Sequence, residues 1–411
     1  PWPVHRASPA LLPARLTRAG ADGATGYSGE LITRFGAQRG LRLKVAGRTE
    51  AKVKALAEAN GGLPWAAFSV DDEAAMDEHF GDPNIKVVCA CAGPFIKTYR
   101  PMVEACIRHG KHYIDINGEN AVLESIRNEY GPQAKPKGVM LMPAAGFDVV
   151  PSDVLAHYMH KKLPGAPLTK LHLYFHYNRV GSLVSRGTAS VMKGAMMSGK
   201  GISWRHCHQL EQINPAQQAL LFEPKSDFGG LIDEAVPLGP AAMADVSTAY
   251  HSLKGPDGLG VPCIETYVSI PTKSTVAKCF QKEYTDGVKE RDASTKVQPI
   301  GPTDEENEEG IAYVAGALFS SNLKSARAAM LCPAPYKVTY LAALAAIEFV
   351  LAGDAPAKAV AEGLGAAVRD ISGPGEREEF LVASLQAFQH RVGGREKSFP
   401  LPKIKEGKKH A

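Results

Sequence analysis

Three glycines in the stretch Gly23-Ala-Thr-Gly26-Tyr-Ser-Gly29 make a GxxGxxG turn that runs into a helical pattern. The combination suits a dinucleotide. The first glycine permits a tight turn, Gly26 lets backbone N–H groups approach a pyrophosphate, and Gly29 allows close packing of the helix whose positive end faces the anion. A glycine triplet alone is weak evidence, so the end of the next apolar segment matters. There "AGRTEAK" offers Arg48 and Lys52 where an NAD-binding fold usually places an acid on the ribose hydroxyls. Cations suit the 2'-phosphate of NADP(H), which is the cofactor expected here. Farther on, "CAGPF" puts Gly93-Pro94 at the carboxyl end of a wholly apolar run, a fitting floor for a nicotinamide ring.

Groups that could move a proton follow two further apolar segments. "DINGE" and "AAGFDVVPSD" bring Asp115, Glu119, Asp148 and Asp153 toward one sheet edge if both segments are parallel strands. Helix capping ahead of Pro151 is the plainer reading for at least one of Asp148 and Asp153. Tyr99, Tyr113 and Asp148 are the candidate proton donors. Two groupings resemble metal sites: Asp153, His157 and His160 near one helical face, and His206-Cys207-His208 in a row. Neither has a remote partner at a recognised spacing, so no metal is expected. No GxSxG elbow signals a hydrolase.

These residues need an open parallel sheet to bring them together. From Gly23 the chain alternates short apolar runs with helical stretches, as strands joined by crossover helices do. Tyr27 to Arg39 reads as a helix, "LRLKVAGR" as a strand, Thr49 as the cap of a helix through Glu58, and "WAAFSV", "IKVVCA", "HYIDI" and "GVMLMP" as further strands. A helix is expected around Met102 to Arg108. Beyond Lys161 the pattern alternates, with Leu171, Leu173, Phe175 and Tyr177 on one face and His172, Tyr174 and His176 on the other. The fold class is therefore α/β: a Rossmann-type doubly wound parallel sheet over 23–160, then an antiparallel α+β substrate or dimerisation domain over 161–335. The acidic stretch "GPTDEENEEG" reads as a mobile loop. A C-terminal helix returning to the core and a basic tail occupy 336–411.

Composition narrows the class. Lys and Arg number 47 against 43 Asp and Glu, a net charge of +4 that gives no nucleic-acid signal. The 7 cysteines form no CxxC pair and read as reduced thiols of a cytoplasmic protein. The apolar run from Val338 to Gly353 carries Glu348 and is shorter than the roughly 18 residues of a membrane span, which leaves peripheral contact with a membrane or lipid surface as its alternative to a core helix. Residues 1–22 contain arginines and no acid before Asp22, a composition shared with organelle transit peptides.

Together "GATGYSGEL", "AGRTEAK", "CAGPF", "EACIRHGKHYIDINGE" and "GFDVVPSD" resemble the saccharopine dehydrogenase-like oxidoreductase family, over about Gly23 to Met159. The bacterial-type branch, related to trans-acting enoyl reductases, is also similar at "GTASVMKG", "ADVSTAYHS", "IETYVSI" and "YKVTYLAALAAIEFVLAG". The resemblance implies NADP(H) binding, with cofactor roles for Gly23, Thr25, Gly26, Tyr27, Gly29, Arg48 and Gly93-Pro94, and a second domain that often supplies dimer contacts. It also implies hydride transfer to a C=C or C=N bond. The family includes saccharopine-forming reductases, enoyl reductases of lipid assembly and lipid-droplet proteins without a settled substrate, so three readings stay open. A substrate rich in carboxylates needs an arginine cluster, and between Leu168 and Ser274 there are only Arg179, Arg186 and Arg205. An acyl or lipid substrate is therefore favoured over saccharopine, with a non-catalytic lipid-associated Rossmann protein as the other alternative.

One feature conflicts with the rest. The segment before Gly23, "ALLPARLTRAGAD", should be the central strand of the sheet and should be nearly all apolar. Burying two unpaired arginines costs several kcal/mol each. The expectation is that the native first strand is missing and the cofactor domain impaired.

Overall fold

The computed structural model describes residues 18–178, 183–189, 202–213, 225–226, 228–232, 236–269, 301–352, 367–370 and 379–380. The first sheet contains β1 (Arg18–Asp22), β2 (Leu43–Gly47), β3 (Trp65–Ala67), β4 (Ile85–Ala90), β5 (His112–Asp115) and β6 (Leu141–Met142). Its order is β3-β2-β1-β4-β5-β6 with every pair parallel, which is the doubly wound arrangement. The backbone of Arg18–Asp22 takes the central place between β2 and β4, so the expectation of a missing first strand is corrected. The strand starts later than expected, leaving Arg15 outside it and Arg18 at its first position, and three of its five residues are Ala or Gly.

The crossovers are α1 (Tyr27–Gln38), α2 (Glu50–Ala59), α3 (Glu73–Phe80), α4 (Phe95–His109), α5 (Asn120–Ser125), the short α6 (Gly131–Ala134) and α7 (Val150–Lys161). Helix α4 starts two turns before the expected Met102, because Pro94 ends the preceding turn and Phe95 is free to open the helix. Thr49 occupies the N-cap of α2 but makes no side-chain cap hydrogen bond. The N-cap of α7 is Val149, with Pro151 in the first turn, so neither Asp148 nor Asp153 caps that helix.

The second sheet combines β7 (Leu168–Tyr177), β8 (Ile202–His206), β9 (Gln209–Ile213), β10 (Lys225–Ser226), β11 (Val236–Pro240), β12 (Cys263–Ser269), β13 (Ile311–Ser320), β14 (Ser325–Pro333), β15 (Ala367–Asp370) and β16 (Glu379–Phe380). It is mixed rather than antiparallel, since β12 runs parallel to β7. Leu171, Leu173 and Phe175 are fully buried with Leu155 and Met159 of α7 in one core cluster. Further helices among the described residues are α8 (Asp245–Ser252), α9 (Asp304–Glu309) and α10 (Pro335–Ala352).

Helix α9 replaces the expected mobile loop. Its capping box is complete, with Thr303 Oγ1 accepting from the Glu306 amide and the Glu306 carboxylate accepting from the Thr303 amide. Helix α10 returns to the first sheet, where Tyr340, Leu341, Leu344 and Ile347 pack with Leu31, Ile32, Val87, Cys89 and Ile114. Among the described residues no helix is long and apolar enough to cross a membrane.

Candidate active site

Every strand of the first sheet points its carboxyl end at the same edge, and the residues singled out above follow those ends. Two of the turn glycines are required by contact. Gly23 has a φ of 70°, and a Cβ there would stand 2.6 Å from the Ala92 amide nitrogen. A Cβ on Gly29 would collide with the Gly23 carbonyl oxygen and stand 2.8 Å from Ala24 Cα. These contacts bring the start of α1 hard against the ends of β1 and β4. Gly26 is different: it is exposed and caps α1 with no side-chain hydrogen bond. The first-turn amides, where the helix carries its partial positive charge, are left for an outside acceptor such as a phosphate.

Thr25 lies against the end of β2, its Oγ1 3.6 Å from where a Cβ on Gly47 would be. Arg48 follows β2 directly and Lys52 stands one turn into α2. Both are exposed, and among the described residues neither has a side-chain hydrogen bond or ion pair. Two cations left unpaired beside an uncapped helix start are a fit for a phosphorylated ribose.

The Tyr27 side chain faces away from that fit. Its hydroxyl donates to the Pro302 carbonyl at 2.6 Å and accepts from Asn307 Nδ2 at 2.5 Å, while its ring meets Tyr336 edge-on at 4.9 Å. Burial pushes the phenol up to about 12. Tyr27 can therefore serve a cofactor only through its backbone amide. Arg34, farther along α1, makes a two-pronged bond to Asp304 at 2.7 and 2.6 Å, so α9 is fastened to the cofactor helix at two points. Tyr336 reaches on to residues 183–189, accepting from the Ser185 amide at 2.7 Å and meeting Thr188 Oγ1 at 2.8 Å.

The Gly93-Pro94 turn, with a cis peptide bond, is exposed on the same edge. Glu119 holds it from below: its two carboxylate oxygens accept from the Phe95 and Ile96 amides at 2.8 and 3.0 Å, capping α4 from another segment. Burial raises the Glu119 pKa and the two amides oppose that rise. Thr98 Oγ1 adds a bond to the Ala92 carbonyl at 2.6 Å.

The carboxylates divide into two kinds. Asp115 is fully buried and joins the exits of β5 and β6: it accepts from the Ala144 amide at 2.7 Å, from the Asn117 side chain at 2.6 Å and amide at 3.0 Å, and from the Tyr113 hydroxyl at 2.8 Å. Tyr113 is 0% exposed, and Tyr99 is 2% exposed with its hydroxyl on Ser125. Both tyrosines are core residues with their hydroxyls on protein partners, so of the three candidate proton donors only Asp148 is exposed. Asp148, in contrast, is exposed and has no hydrogen-bond partner among the described residues. Gly118 makes room for it, since a Cβ there would stand 2.8 Å from Asp148 Oδ2. The residue is exposed, yet the protein packed around the carboxyl desolvates it and raises its pKa above the ordinary carboxylate value.

Asp153 lies behind it, 3.7 Å from His157 Nε2 and accepting from Ser252 Oγ at 3.4 Å. Asp245 escaped the sequence reading. It is 0% exposed in the first turn of α8, and neither carboxylate oxygen has a hydrogen-bond partner among the described residues. Burial raises its pKa well above the usual range; the nearby Ser152 hydroxyl, too poorly placed for a good hydrogen bond, opposes the rise, and the charges of Asp153 and Asp148 add to it. An aspartate at a helix start reads as a cap from sequence, and only its burial distinguishes it. A cavity of about 700 Å³ lined by His112, Lys135, Met140 and Phe349 opens at the amino end of β5, away from this edge, and takes no part in the site.

Residues 23–142 match the family model described as the saccharopine dehydrogenase NADP binding domain. A trans-acting enoyl reductase of Mycobacterium ulcerans is 30% identical over 146 residues, 34% of this chain and 34% of that protein. The human saccharopine dehydrogenase-like oxidoreductase is 31% identical over 186 residues, 40% of this chain and 43% of its own length. A lipid droplet localized protein of Caenorhabditis elegans is 32% identical over 155 residues, 36% of each chain. The match thus spans between 34% and 43% of the length of these curated relatives. Among solved structures, apo saccharopine dehydrogenase (L-Glu forming) from Saccharomyces cerevisiae aligns with a TM-score of 0.52 at 14% identity, over 82% of this chain and 92% of that one, a likeness of fold alone. The cofactor class is accordingly a nicotinamide dinucleotide.

Proposed function

We propose, from the premise that residues 23–142 belong to the saccharopine dehydrogenase-like NADP-binding family, that this protein is an NADP(H)-dependent reductase of a C=C or C=N bond in an acyl or lipid-like substrate. The observation that carries the reading is the uncapped start of α1 beside the unpartnered Arg48 and Lys52. The amides of α1 bind the pyrophosphate, the two cations read the 2'-phosphate, and the Gly93-Pro94 turn, held by Glu119, supports the nicotinamide face. Bound there, the cofactor supplies a hydride. The chain's own share is positioning and proton supply.

Asp148 is the acid assigned to the proton. It is exposed, lacks a hydrogen-bond partner among the described residues, and desolvation raises its pKa, the direction that suits a proton donor. The substrate class rests on where the arginines stand. Arg205 is 5% exposed and fully engaged, donating to Glu124 at 2.7 Å and to the Val246 and His208 carbonyls at 2.8 and 2.9 Å. Arg179 lies outside the described residues. Arg186 alone is left exposed among the described arginines of that stretch, too few for a substrate with several carboxylates.

The test is NADPH consumption with enoyl thioesters and with saccharopine on the intact chain. Reduction of an enoyl thioester, slowed at least tenfold in Asp148→Asn with NADPH affinity kept, is expected (~10-fold or more for general acid loss). Turnover of saccharopine alone would move the assignment to lysine metabolism. NADPH binding without turnover of either would favour a non-catalytic role, and no NADPH binding by the folded chain would end the reading.

A further inference from the structure

We propose that the second sheet carries a site for a zinc-type divalent cation, with His206 of β8 and Cys263 and Glu265 of β12 as its ligands. One donor atom from each residue lies within 4.8 Å of the other two. His206 Nε2 is 3.5 Å from Glu265 Oε1, and Cys263 Sγ is 3.5 Å from the same oxygen. A tetrahedral zinc bonded to N, O and S at about 2.0 to 2.3 Å has ligand-to-ligand edges of roughly 3.4 to 3.6 Å. Three protein ligands of these types leave a fourth position for water.

The surroundings hold the carboxylate in the orientation a metal needs. Glu265 is 8% exposed, and its Oε2 accepts from the Tyr267 hydroxyl at 2.6 Å, while His172 Nε2 lies 3.0 Å away on the same side. Oε1 is thereby turned toward His206 and Cys263, as outer partners turn a metal-binding carboxylate. A cation already stands there: Lys170 Nζ is 2.8 Å from Oε1. Its side chain is 37% exposed on a flexible stem, so it can swing into solvent when a metal arrives. Cys263 binds as the thiolate and its proton leaves to solvent.

The remote partner that the linear pattern of His206-Cys207-His208 lacks is supplied by the neighbouring strand. Cys207 is exposed in the turn between β8 and β9, and His208 meets Tyr250 edge-on at 5.9 Å, so only the first of the three faces Glu265. Strand β8 pairs with β12 at a single register position, Arg205 with Ile264. A bound ion would fasten β8 beside that pair.

Cobalt(II) and zinc(II) titrations of the intact, reduced chain test the site. One equivalent of cobalt should produce a thiolate-to-metal charge-transfer band, displaced by zinc. The band should disappear in Cys263→Ser and persist in Cys207→Ser. Zinc affinity should fall roughly 10- to 100-fold in His172→Ala, an outer partner, and further in His206→Ala and Glu265→Gln. Lys170→Ala should bind zinc more tightly. Circular dichroism identifies any variant that fails to fold, and the wild-type band and the Lys170→Ala gain stand without those variants. No band in the wild type, a band that survives Cys263→Ser, or weaker binding in Lys170→Ala would each overturn the proposal.

Discussion

Replacing Arg48 with alanine separates a cofactor-reading residue from a solvated strand end. Among the described residues Arg48 has no partner to lose, so the substitution orphans no group there and the fold should be untouched. Its effect must come from the ligand. A hydrogen bond to a charged group contributes about 1.5 to 3 kcal/mol. Exposure places Arg48 at the lower end of that range, and Lys52 stays nearby to compensate in part. A loss of about 1.5 to 2 kcal/mol corresponds to roughly 10- to 30-fold weaker NADPH binding. NADH lacks the 2'-phosphate and should bind nearly unchanged. The double variant Arg48→Ala/Lys52→Ala should erase most of the preference, and the wild-type preference should shrink as salt is raised. Quenching of tryptophan fluorescence is a suitable readout, because Trp65 pairs with Val45 of β2 within the same domain and is partly exposed. Equal losses for NADPH and NADH, or no loss for either, would refute the role.

Two further substitutions examine what holds the edge in place. Glu119→Ala removes the acceptor from two amides at the start of α4; Phe95 is buried and Ile96 exposed, so about one full penalty of roughly 1 to 2 kcal/mol is expected, seen as a melting temperature lower by several degrees. If the melting temperature stays unchanged, Glu119 does not hold the turn. Asp245→Asn tests the buried acid through pH: the folded state holds its proton more tightly than the unfolded chain, so this group's contribution to stability is fully present below about pH 4 and is lost as pH rises toward the raised folded value. The variant should match the wild type in acid and become the more stable of the two as pH increases, by thermal denaturation; a difference independent of pH would mean that folding does not shift the Asp245 pKa.

The first sheet was legible because its signals are local. Runs such as "IKVVCA" are apolar throughout, as strands covered on both faces must be, and the glycine turn marks where the sheet begins. The misjudged element was the central strand. Hydropathy argued against "ARLTRA", yet the sheet uses the shorter "RAGAD", in which three of five residues are Ala or Gly. The acidic stretch misled for a related reason. Its charges suggested repulsion and solvent, while the Thr303 capping box and the Arg34 bond to Asp304 place them on a short helix with partners. The mixed character of the second sheet was hidden because strand periodicity carries no direction: β7 and β12 look alike in sequence whether they run parallel or opposed.

The site was legible where chemistry demands a residue type and illegible where it depends on burial. Only glycine fits at positions 23 and 29, and that steric demand can be read from spacing. Tyr99, Tyr113 and Asp148 all looked available, since a tyrosine or aspartate after a strand has the same letters whether its oxygen ends in a cleft or in a core. The structure separates them by what each oxygen meets: Ser125, Asp115, and for Asp148 no described partner. The same distinction accounts for Asp245, which sequence would class as a cap and which is instead a buried acid with no well-placed hydrogen bond among the described residues. The Asp148 charge adds to the proton affinity of Asp245, so the buried acid stays neutral when the exposed one ionises. The effect runs one way, because a protonated Asp245 has no charge with which to disturb Asp148, whose own pKa is raised by burial. The pH-dependent gain in stability from Asp245→Asn should therefore be smaller in an Asp148→Asn background than in the wild type. An equal gain in both backgrounds would show that the two carboxyls titrate independently.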